Sequence, residues 1–393
     1  MTKSLAGTVA LGALLVVAAV TAIGVAALWP SDADIERPAS LRTPDAEAAE
    51  VVGIRAVPCR TPQATDCRRL TVELGSGPDE GERVQLTVGD QGDRVEISVG
   101  DAVRVYRNQL PEGAVIGGVP VDPYSFADFE RRQPLVLLIL LFVVVVILMG
   151  RLRGLRALGG LAASVVIIVL FIVPAILDGR SPVAVALFGA LAVMLVTIPL
   201  AHGLGPKSVA ACLGTTLSLV LTLTLAVVAT ELAHLSGLSS DEAVFLRATA
   251  DDLSIKGLLL AGMVIGALGV LDDLTVTQAS TVMALRRANP ALRARQLFGS
   301  ALEVGHDHIA ATVNTLVLAY AGAALPVLLV FSVAGTSATD ALNTEAVAEE
   351  VVGMLVGSIG LVAAVPITTG LAALLAVRIA PDVAGRGAHA HPH

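Results

Sequence analysis

The sequence predicts an α-helical polytopic membrane protein with about eight transmembrane helices and a small exported all-β barrel or sandwich domain between helices 1 and 2. First, the 393 residues are 55% hydrophobic and only 15% charged, and the mean hydropathy of +0.79 is far above that of a soluble domain. Second, the apolar residues form runs of about 20, the length of a helix that crosses a bilayer. Third, a polar stretch after the first run shows the period-two alternation of β-strands.

Eight apolar runs mark the predicted spans. The second run is short, but residues 135–149 are an unbroken apolar sequence before the basic segment RLRGLR, so this run counts as a separate span. An even number of spans returns both termini to one side of the membrane. The predicted spans are residues 7–29, 135–150, 157–177, 182–201, 208–230, 256–272, 309–332 and 351–378.

Basic residues orient these spans, because Lys and Arg near span ends are retained in the cytoplasm. The short loops on one side hold little more than Arg180, Arg247 and Lys256. We therefore expect both termini to be cytoplasmic and residues 30–134 to be extracytoplasmic. The basic residues on the predicted cytoplasmic side are Lys3, Arg151, Arg153, Arg156, Lys207, Arg286, Arg287, Arg293, Arg295 and Arg378.

The first run, residues 1–29, predicts an N-terminal transmembrane anchor. The hydrophobic region of a cleaved signal peptide is typically about 7–15 residues long, and this run is longer. Lys3 and the small residues before Trp29 nevertheless fit a signal peptide, so cleavage remains the alternative.

The polar stretch divides into a tether and a β domain. Residues 30–50 are acidic, contain proline and are poor in aromatic residues, which predicts a flexible tether. Residues 51–134 predict the exported β domain, similar only in fold to an OB or SH3-like unit. The domain either caps the membrane core or binds a partner. Its predicted strands include residues 69–74, 83–88, 95–97 and 103–105.

Two of the three cysteines lie in this exported stretch. Cys59 and Cys67 bracket a short loop in a compartment that permits oxidation, so a disulfide is expected, with two free thiols as the alternative. Cys212 lies within the fifth predicted span and is interpreted as a core residue.

Two adjacent aspartates, Asp272 and Asp273, stand at the inner end of the sixth predicted span. An ionised carboxylate near hydrocarbon costs several kcal/mol unless it faces protein, water or an ion, so such residues often mark a site. Thr275 is one helical step from Asp272, and Gln278 continues this side if the helix persists. One aspartate is expected to face the bundle and the other solvent, while an ion pair with an arginine of the next loop is the alternative.

A second cluster, Glu303 with His306, Asp307 and His308, precedes the seventh predicted span. On a helix, Glu303, Asp307 and Asn314 share one narrow face, which is expected to pack inward. Asn314 lies inside the apolar run, so it either bonds another helix or lines a hydrated path. We expect the inner ends of the sixth and seventh spans to be adjacent, so that both clusters form one proton or cation site.

Two segments carry a family resemblance. Residues 266–280, GALGVLDDLTVTQAS, and residues 305–322, GHDHIAATVNTLVLAYAG, resemble the YibE/F family of bacterial polytopic membrane proteins. The resemblance covers the membrane block and, more loosely, the exported barrel. It implies a multi-pass membrane or efflux protein of the bacterial cell (plasma) membrane, with a seven-helix YibE/F-like domain at residues 135–380. Residues 381–393 are expected to be a disordered cytoplasmic tail.

Two functions of different classes fit these residues. A secondary transporter or efflux permease would use an inward carboxylate as its proton or cation site, with His306 or His308 as relay and Asn314 aligning the path. A non-transporting membrane scaffold would instead use the exported β domain to dock an envelope partner. Loss of function in Asp272 or Asp307 variants that still insert would distinguish the two.

An intramembrane enzyme is a third alternative. The chain lacks H-E-x-x-H, G-x-S-x-G and a P-loop, and His306 and His308 diverge by roughly 200° on a helix. We therefore expect neither enzymatic activity nor a cofactor or metal. The expected partners are the lipid bilayer and an unknown small solute or ion, with an envelope protein or a second copy as a further partner. A nucleic-acid partner is not expected.

Overall fold

The structure is a computed structural model that describes residues 5–31, 45–59, 65–90, 96–108, 115–116, 119–249 and 253–378. The chain divides into two compact units. One unit comprises Glu36–Val145, and the other comprises Met1–Ile35 with Val146–His393.

The smaller unit contains a five-stranded antiparallel sheet in the order β3-β2-β1-β4-β7 and a separate β5-β6 pair. Alternating apolar residues cover one face of the sheet: Val51 and Val72 pair directly across β1 and β2, and both are fully buried. The strands are β1 (Ala46–Ala56), β2 (Thr65–Leu74), β3 (Arg83–Asp90), β4 (Ala102–Arg107), β5 (Val115–Ile116), β6 (Val119–Pro120) and β7 (Tyr124–Phe129).

The sheet is curled, and its edge strands β3 and β7 approach each other. The backbone N–H of Thr87 donates to Asp122 Oδ2 at 2.8 Å, and the Tyr124 hydroxyl donates to Asp79 Oδ2 at 2.6 Å. Burial, followed by this hydrogen bond to Asp79, raises the pKa of Tyr124, which keeps its hydroxyl protonated as a donor. No ladder joins the two edges within the described residues. Of the predicted barrel or sandwich, the barrel is therefore not confirmed.

The strand predictions at 69–74, 83–88 and 103–105 are confirmed. Glu96 and Ile97, predicted to be in a strand, are not in one, although Ile97 is buried against the sheet. β1 begins at Ala46, inside the predicted tether, because its pairing with both β2 and β4 outweighs the low strand propensity of its Ala and Glu residues. The described residues of the tether also include 30–31, whereas 32–44 lie outside the described part of the chain.

The predicted disulfide is confirmed. Cys59 and Cys67 are bonded, with their Cα atoms 5.1 Å apart, and Cys212 is a free, buried cysteine.

The larger unit is helical. Its centre is formed by α5, α7 and α10, which pack closely against one another, while α4 packs against α7 and α8 packs against α10. α2 crosses the boundary between the units. The helices are α1 (Leu5–Ala27), α2 (Arg132–Ile167), a π-helical segment (Ile168–Ile172), α3 (Val173–Leu177), α4 (Pro182–His202), α5 (Pro206–Leu232), α6 (Asp241–Thr249), α7 (Ile255–Ala288), α8 (Ala294–Val333), α9 (Ala338–Leu342) and α10 (Glu345–Arg378).

Seven helical runs within the described residues are long and apolar enough to cross a membrane. The predicted spans 135–150 and 157–177 fall in one run, Arg132–Leu177, which is 46 residues long. The prediction of eight separate spans is therefore not confirmed. The segment RLRGLR contains good helix formers and no proline, so helical hydrogen bonding continues on both sides of it.

This run is nevertheless sharply bent at Arg151, whose φ of 50° and ψ of −130° are not helical. A Cβ atom on Gly154 would overlap the carbonyl oxygen of Val146. Residues eight apart in a straight helix are separated by about 12 Å, so the chain changes direction here. Gly154 is needed because any larger side chain would collide with the preceding part of the helix.

α5 and α10 approach each other closely. A Cβ atom on Gly214 would overlap the Thr368 side chain, and one on Gly360 would overlap the Thr222 side chain. Gly214 precedes Thr222 on α5, whereas their partners follow the opposite order on α10, where Gly360 precedes Thr368. The two helices are therefore antiparallel. Each glycine makes room for a threonine of the opposite helix, as is common where small residues let membrane helices approach.

We expect Gly214→Ala and Gly360→Ala each to lower the free energy of unfolding by about 1–3 kcal/mol, because the added methyl group overpacks the α5–α10 contact. Thermal unfolding of the full-length protein in detergent measures the effect. Gly262→Ala on α7 is the matched control, since nothing lies within 4 Å of its Cβ position. Equal melting temperatures for all three variants would contradict the close approach.

Candidate functional site

Asp272 lies on α7 and is partly buried where α7 packs against α4. Its Oδ2 atom accepts a hydrogen bond from Thr197 Oγ1 of α4 at 3.3 Å. Its Oδ1 atom is buried and has no hydrogen-bond partner among the described residues. A buried carboxylate oxygen without a donor is costly, so this atom is suited to bind a proton or a cation.

Asp273, by contrast, is exposed. Adjacent helical residues point about 100° apart, and the expected division into one inward and one outward aspartate is what the structure shows. Among the described residues neither aspartate forms an ion pair. Arg286 instead donates to the backbone carbonyls of Pro290 and Leu292. The alternative of an ion pair with the arginine of the next loop is therefore not seen.

Thr275 connects the Asp272 region to α5. Its Oγ1 atom lies 2.7 Å from Thr215 Oγ1 and donates to the backbone carbonyl of Asp272 at 3.2 Å. Both threonines are fully buried. Thr197 and Thr215 thus join the site from α4 and α5, although the sequence indicated neither as a site residue. The signal that could have indicated Thr215 is the series of hydroxyl residues on the fifth predicted span.

Gln278 lies at the junction of α7 with α8. Its side chain is 1% exposed, and its Nε2 atom donates to the backbone carbonyl of Ala301 at 2.7 Å. A Cβ atom on Gly305 would lie 2.8 Å from Gln278 Nε2 and 2.6 Å from Val365 Cγ1 of α10. Gly305 therefore lets α8 approach both helices.

This approach fixes the rotation of α8, and it corrects the expectation for the second cluster. The buried stripe of α8 contains Leu297, Ala301 and Gly305. The face predicted to pack inward is outside this stripe. Its members and their neighbours are exposed or only partly buried: Glu303, His306, Asp307 and Asn314 are exposed, and His308 is partly buried.

The two predicted clusters are not joined by side-chain contacts. α7 and α8 are adjacent, as expected, but within the described residues Asp272 makes no hydrogen bond or ion pair with Glu303, His306 or Asp307. No group of three or more His, Cys, Asp or Glu residues suited to a metal ion occurs in the described part of the chain. The site that the structure assembles therefore centres on Asp272 and the threonines of α4, α5 and α7.

An apolar cavity of about 360 Å³ lies between α1, the start of α5 and the end of α10. Its walls include Leu11 and Leu375, and Ser208, Val209 and Cys212 are among the α5 residues that line it. The Thr216 hydroxyl donates to the backbone carbonyl of Cys212 at 2.8 Å. The cavity wall formed by α5 is therefore followed directly by the part of the helix that carries Thr215 and Thr216. The volume falls in the range of small-molecule sites, about 300–1,000 Å³.

Seven long apolar helical runs in the described part of the chain define it as a polytopic integral membrane protein. A model of the YibE/F-like protein family matches residues 138–378, more than half of the chain. The chain therefore belongs to the YibE/F-like family, and the resemblance of its two sequence segments is confirmed. Comparison with curated proteins and with solved structures gives no match.

We expect Gln278→Met to lower the free energy of unfolding by about 1–3 kcal/mol, because the buried amide no longer bonds the α8 backbone. Unfolding of the full-length protein in detergent measures this loss. His306→Ala on the exposed face of α8 is the control and should change stability by less than about 0.5 kcal/mol. A larger loss for His306→Ala than for Gln278→Met would contradict the observed rotation of α8.

Proposed function

We propose that the protein is a secondary transporter or efflux permease in which Asp272 binds the coupling proton or cation. The observation that carries this proposal is the buried Asp272 Oδ1 atom, which lacks a hydrogen-bond partner among the described residues. Ionisable groups inside membrane bundles are costly, and they commonly mark ion pathways and proton relays.

The surroundings of Asp272 support reversible binding rather than a fixed structural contact. Its one side-chain partner is Thr197, at the long distance of 3.3 Å, and no cation pairs with it among the described residues. Thr275, which contacts Thr215, bonds the backbone carbonyl of Asp272, and the hydroxyls of both threonines can donate or accept. Such a site can hold a proton or a small cation with oxygen ligands.

The lining of the apolar cavity indicates the chemical class of the solute. Its lining of Leu11, Leu14, Val209 and Leu375 favours a small apolar or amphiphilic molecule. Because Cys212 belongs to this lining and lies one helical turn before Thr215, binding in the cavity and binding at Asp272 involve the same part of α5. This shared helix is the physical basis for coupling solute binding in the cavity to ion binding at Asp272.

The proposed topology keeps both termini in the cytoplasm and residues 30–134 on the other side. Arg151, Arg153 and Arg156 separate two apolar segments of the Arg132–Leu177 run. One straight crossing would bury these arginines, each at a cost of about 2.5–3.5 kcal/mol or more. Two crossings that meet at the Arg151 bend would place them at the cytoplasmic surface, in accordance with the positive-inside rule.

Purified protein in liposomes, under imposed proton and sodium gradients, tests the proposal. We expect Asp272→Asn to lower coupled flux by about tenfold or more, because the amide of similar shape cannot take up the ion. Asp273→Asn is the matched control: it makes the same change at the neighbouring exposed position and should retain flux. Asp307→Asn should also retain most of the flux.

Flux that is lost equally in Asp272→Asn and Asp273→Asn would contradict the assignment of Asp272. Absence of flux in well-folded wild-type protein under both gradients would contradict transport and favour the non-transporting scaffold. Equal insertion of all variants, checked by their elution as monodisperse particles, is required for each comparison.

A further inference from the structure

A row of hydroxyl side chains runs along the buried face of α5. This hydroxyl stripe consists of Thr215, Ser218, Thr222 and Thr230, each at most 1% exposed. Their spacing of three, four and eight residues keeps them on one face of the helix. The stripe extends about 22 Å along the axis, most of the roughly 30 Å thickness of the hydrocarbon layer.

α10 covers the stripe and contributes to it. Gly360 accommodates Thr222, and Thr368 is fully buried against Gly214. Between these contacts α10 presents Ala364, which is also fully buried. From Gly360 to Thr368 the facing surface of α10 is thus made of glycine, alanine and one hydroxyl residue, whereas nearer its start Val356 packs with Ala226 in an apolar cluster.

Several of these hydroxyls lack a partner. Ser218 Oγ, Thr230 Oγ1 and Thr368 Oγ1 are buried without a hydrogen-bond partner among the described residues. Thr222 donates to the backbone carbonyl of Ser218 at 2.8 Å, the usual arrangement for a threonine in a helix. Such self-bonding accounts for Thr222 but not for the other three. Each unmatched hydroxyl costs about 1–3 kcal/mol, so a structural role alone does not explain them.

The stripe has a carboxylate region near each end. At one end Thr215 contacts Thr275, which bonds the backbone of Asp272. At the other end, the first turns of α10 carry Glu349, which accepts a hydrogen bond from Ser239 and whose Oε1 atom is buried without a partner in the described residues.

The charged neighbours of Glu349 are also acidic or already paired. Glu345, one turn away, accepts from the backbone N–H of Gly237 at 2.9 Å, and Glu350 follows Glu349 directly. On α7, Lys256 is paired with Glu231 of α5, with 2.7 Å between Lys256 Nζ and Glu231 Oε1. This end of the stripe therefore concentrates negative charge, which attracts cations and protons from solution.

We propose that the hydroxyl stripe between α5 and α10 is a hydrated proton path that joins Glu349 to Asp272. The inference rests on the proposed function, for which it supplies the route of the coupling proton. Each hydroxyl accepts a proton on its oxygen and releases its own, so the O–H bonds formed and broken balance and one proton reaches the Asp272 carboxylate. Beside Ala226, α5 has no hydroxyl on this face, and Leu260, Met263 and Val356 close the interval. The path is continuous only when water enters between these side chains.

The chemistry of the stripe suits protons. Hydroxyls and water can donate and accept at the same time, which is the requirement for a proton relay.

Cysteine accessibility tests this path without relying on transport. In a Cys212→Ser background, Ser218→Cys, Thr222→Cys and Thr230→Cys are treated with 2-aminoethyl methanethiosulfonate in liposomes. We expect each to react about tenfold or more faster than two controls on the same helix, because the reactive thiolate forms only where water is present. The controls are Leu219→Cys, in the dry core, and Thr224→Cys, on the exposed face.

Reaction rates equal to those of Leu219→Cys would overturn the path, even if Asp272-dependent flux is found. Fast reaction at all three positions supports the hydrated path, even if wild-type protein shows no flux and the proposed function fails. In protein that transports, Ser218→Ala and Thr230→Val should each lower proton-coupled flux by about threefold or more, and Thr224→Val should not. Unchanged flux in both stripe variants would overturn the role of the stripe as the proton route.

Discussion

The close approach of α5 and α10 is the constraint on which the rest of the helical unit depends. Gly214 and Gly360 let the two helices meet through threonine side chains instead of large apolar residues. With α10 held this close, Val365 reaches Gly305 of α8, while α7 packs against both α5 and α10. In a membrane, where lipid solvates apolar side chains as well as protein does, such close packing and interhelical hydrogen bonds stabilise the bundle.

This packing also determines the chemistry of Asp272. Because α5 is held against α7, Thr215 meets Thr275, whose hydroxyl bonds the backbone carbonyl of Asp272, while Thr197 of α4 donates to the carboxylate. The carboxylate therefore has one hydroxyl donor and no cationic partner among the described residues. A fixed ion pair would neutralise it permanently, whereas hydroxyl neighbours leave it able to bind and release a proton. Cys212, which lines the apolar cavity, is also a residue of α5.

The sequence predicted the features that follow from local rules. Helix periodicity predicted that Asp272 and Asp273 face different surroundings. The alternation of apolar and polar residues located three strands, and the short loop favoured the Cys59–Cys67 disulfide. Features set by tertiary packing were not predictable in this way. The rotation of α8 follows from the contact of Gly305 with two other helices, so the polar residues of α8 were wrongly placed inside. The role of Thr197 depends on which helix packs against α7, which periodicity does not reveal.

The central claim is that Asp272 takes up a proton inside the bundle. Dicyclohexylcarbodiimide modifies protonated carboxyl groups in apolar surroundings, so peptide mapping of the treated, membrane-embedded protein tests the claim directly. We expect modification of Asp272 that slows as the pH rises, with Asp273 unmodified. Modification of Asp273 in preference to Asp272, or no modification of either residue at any pH, would contradict it.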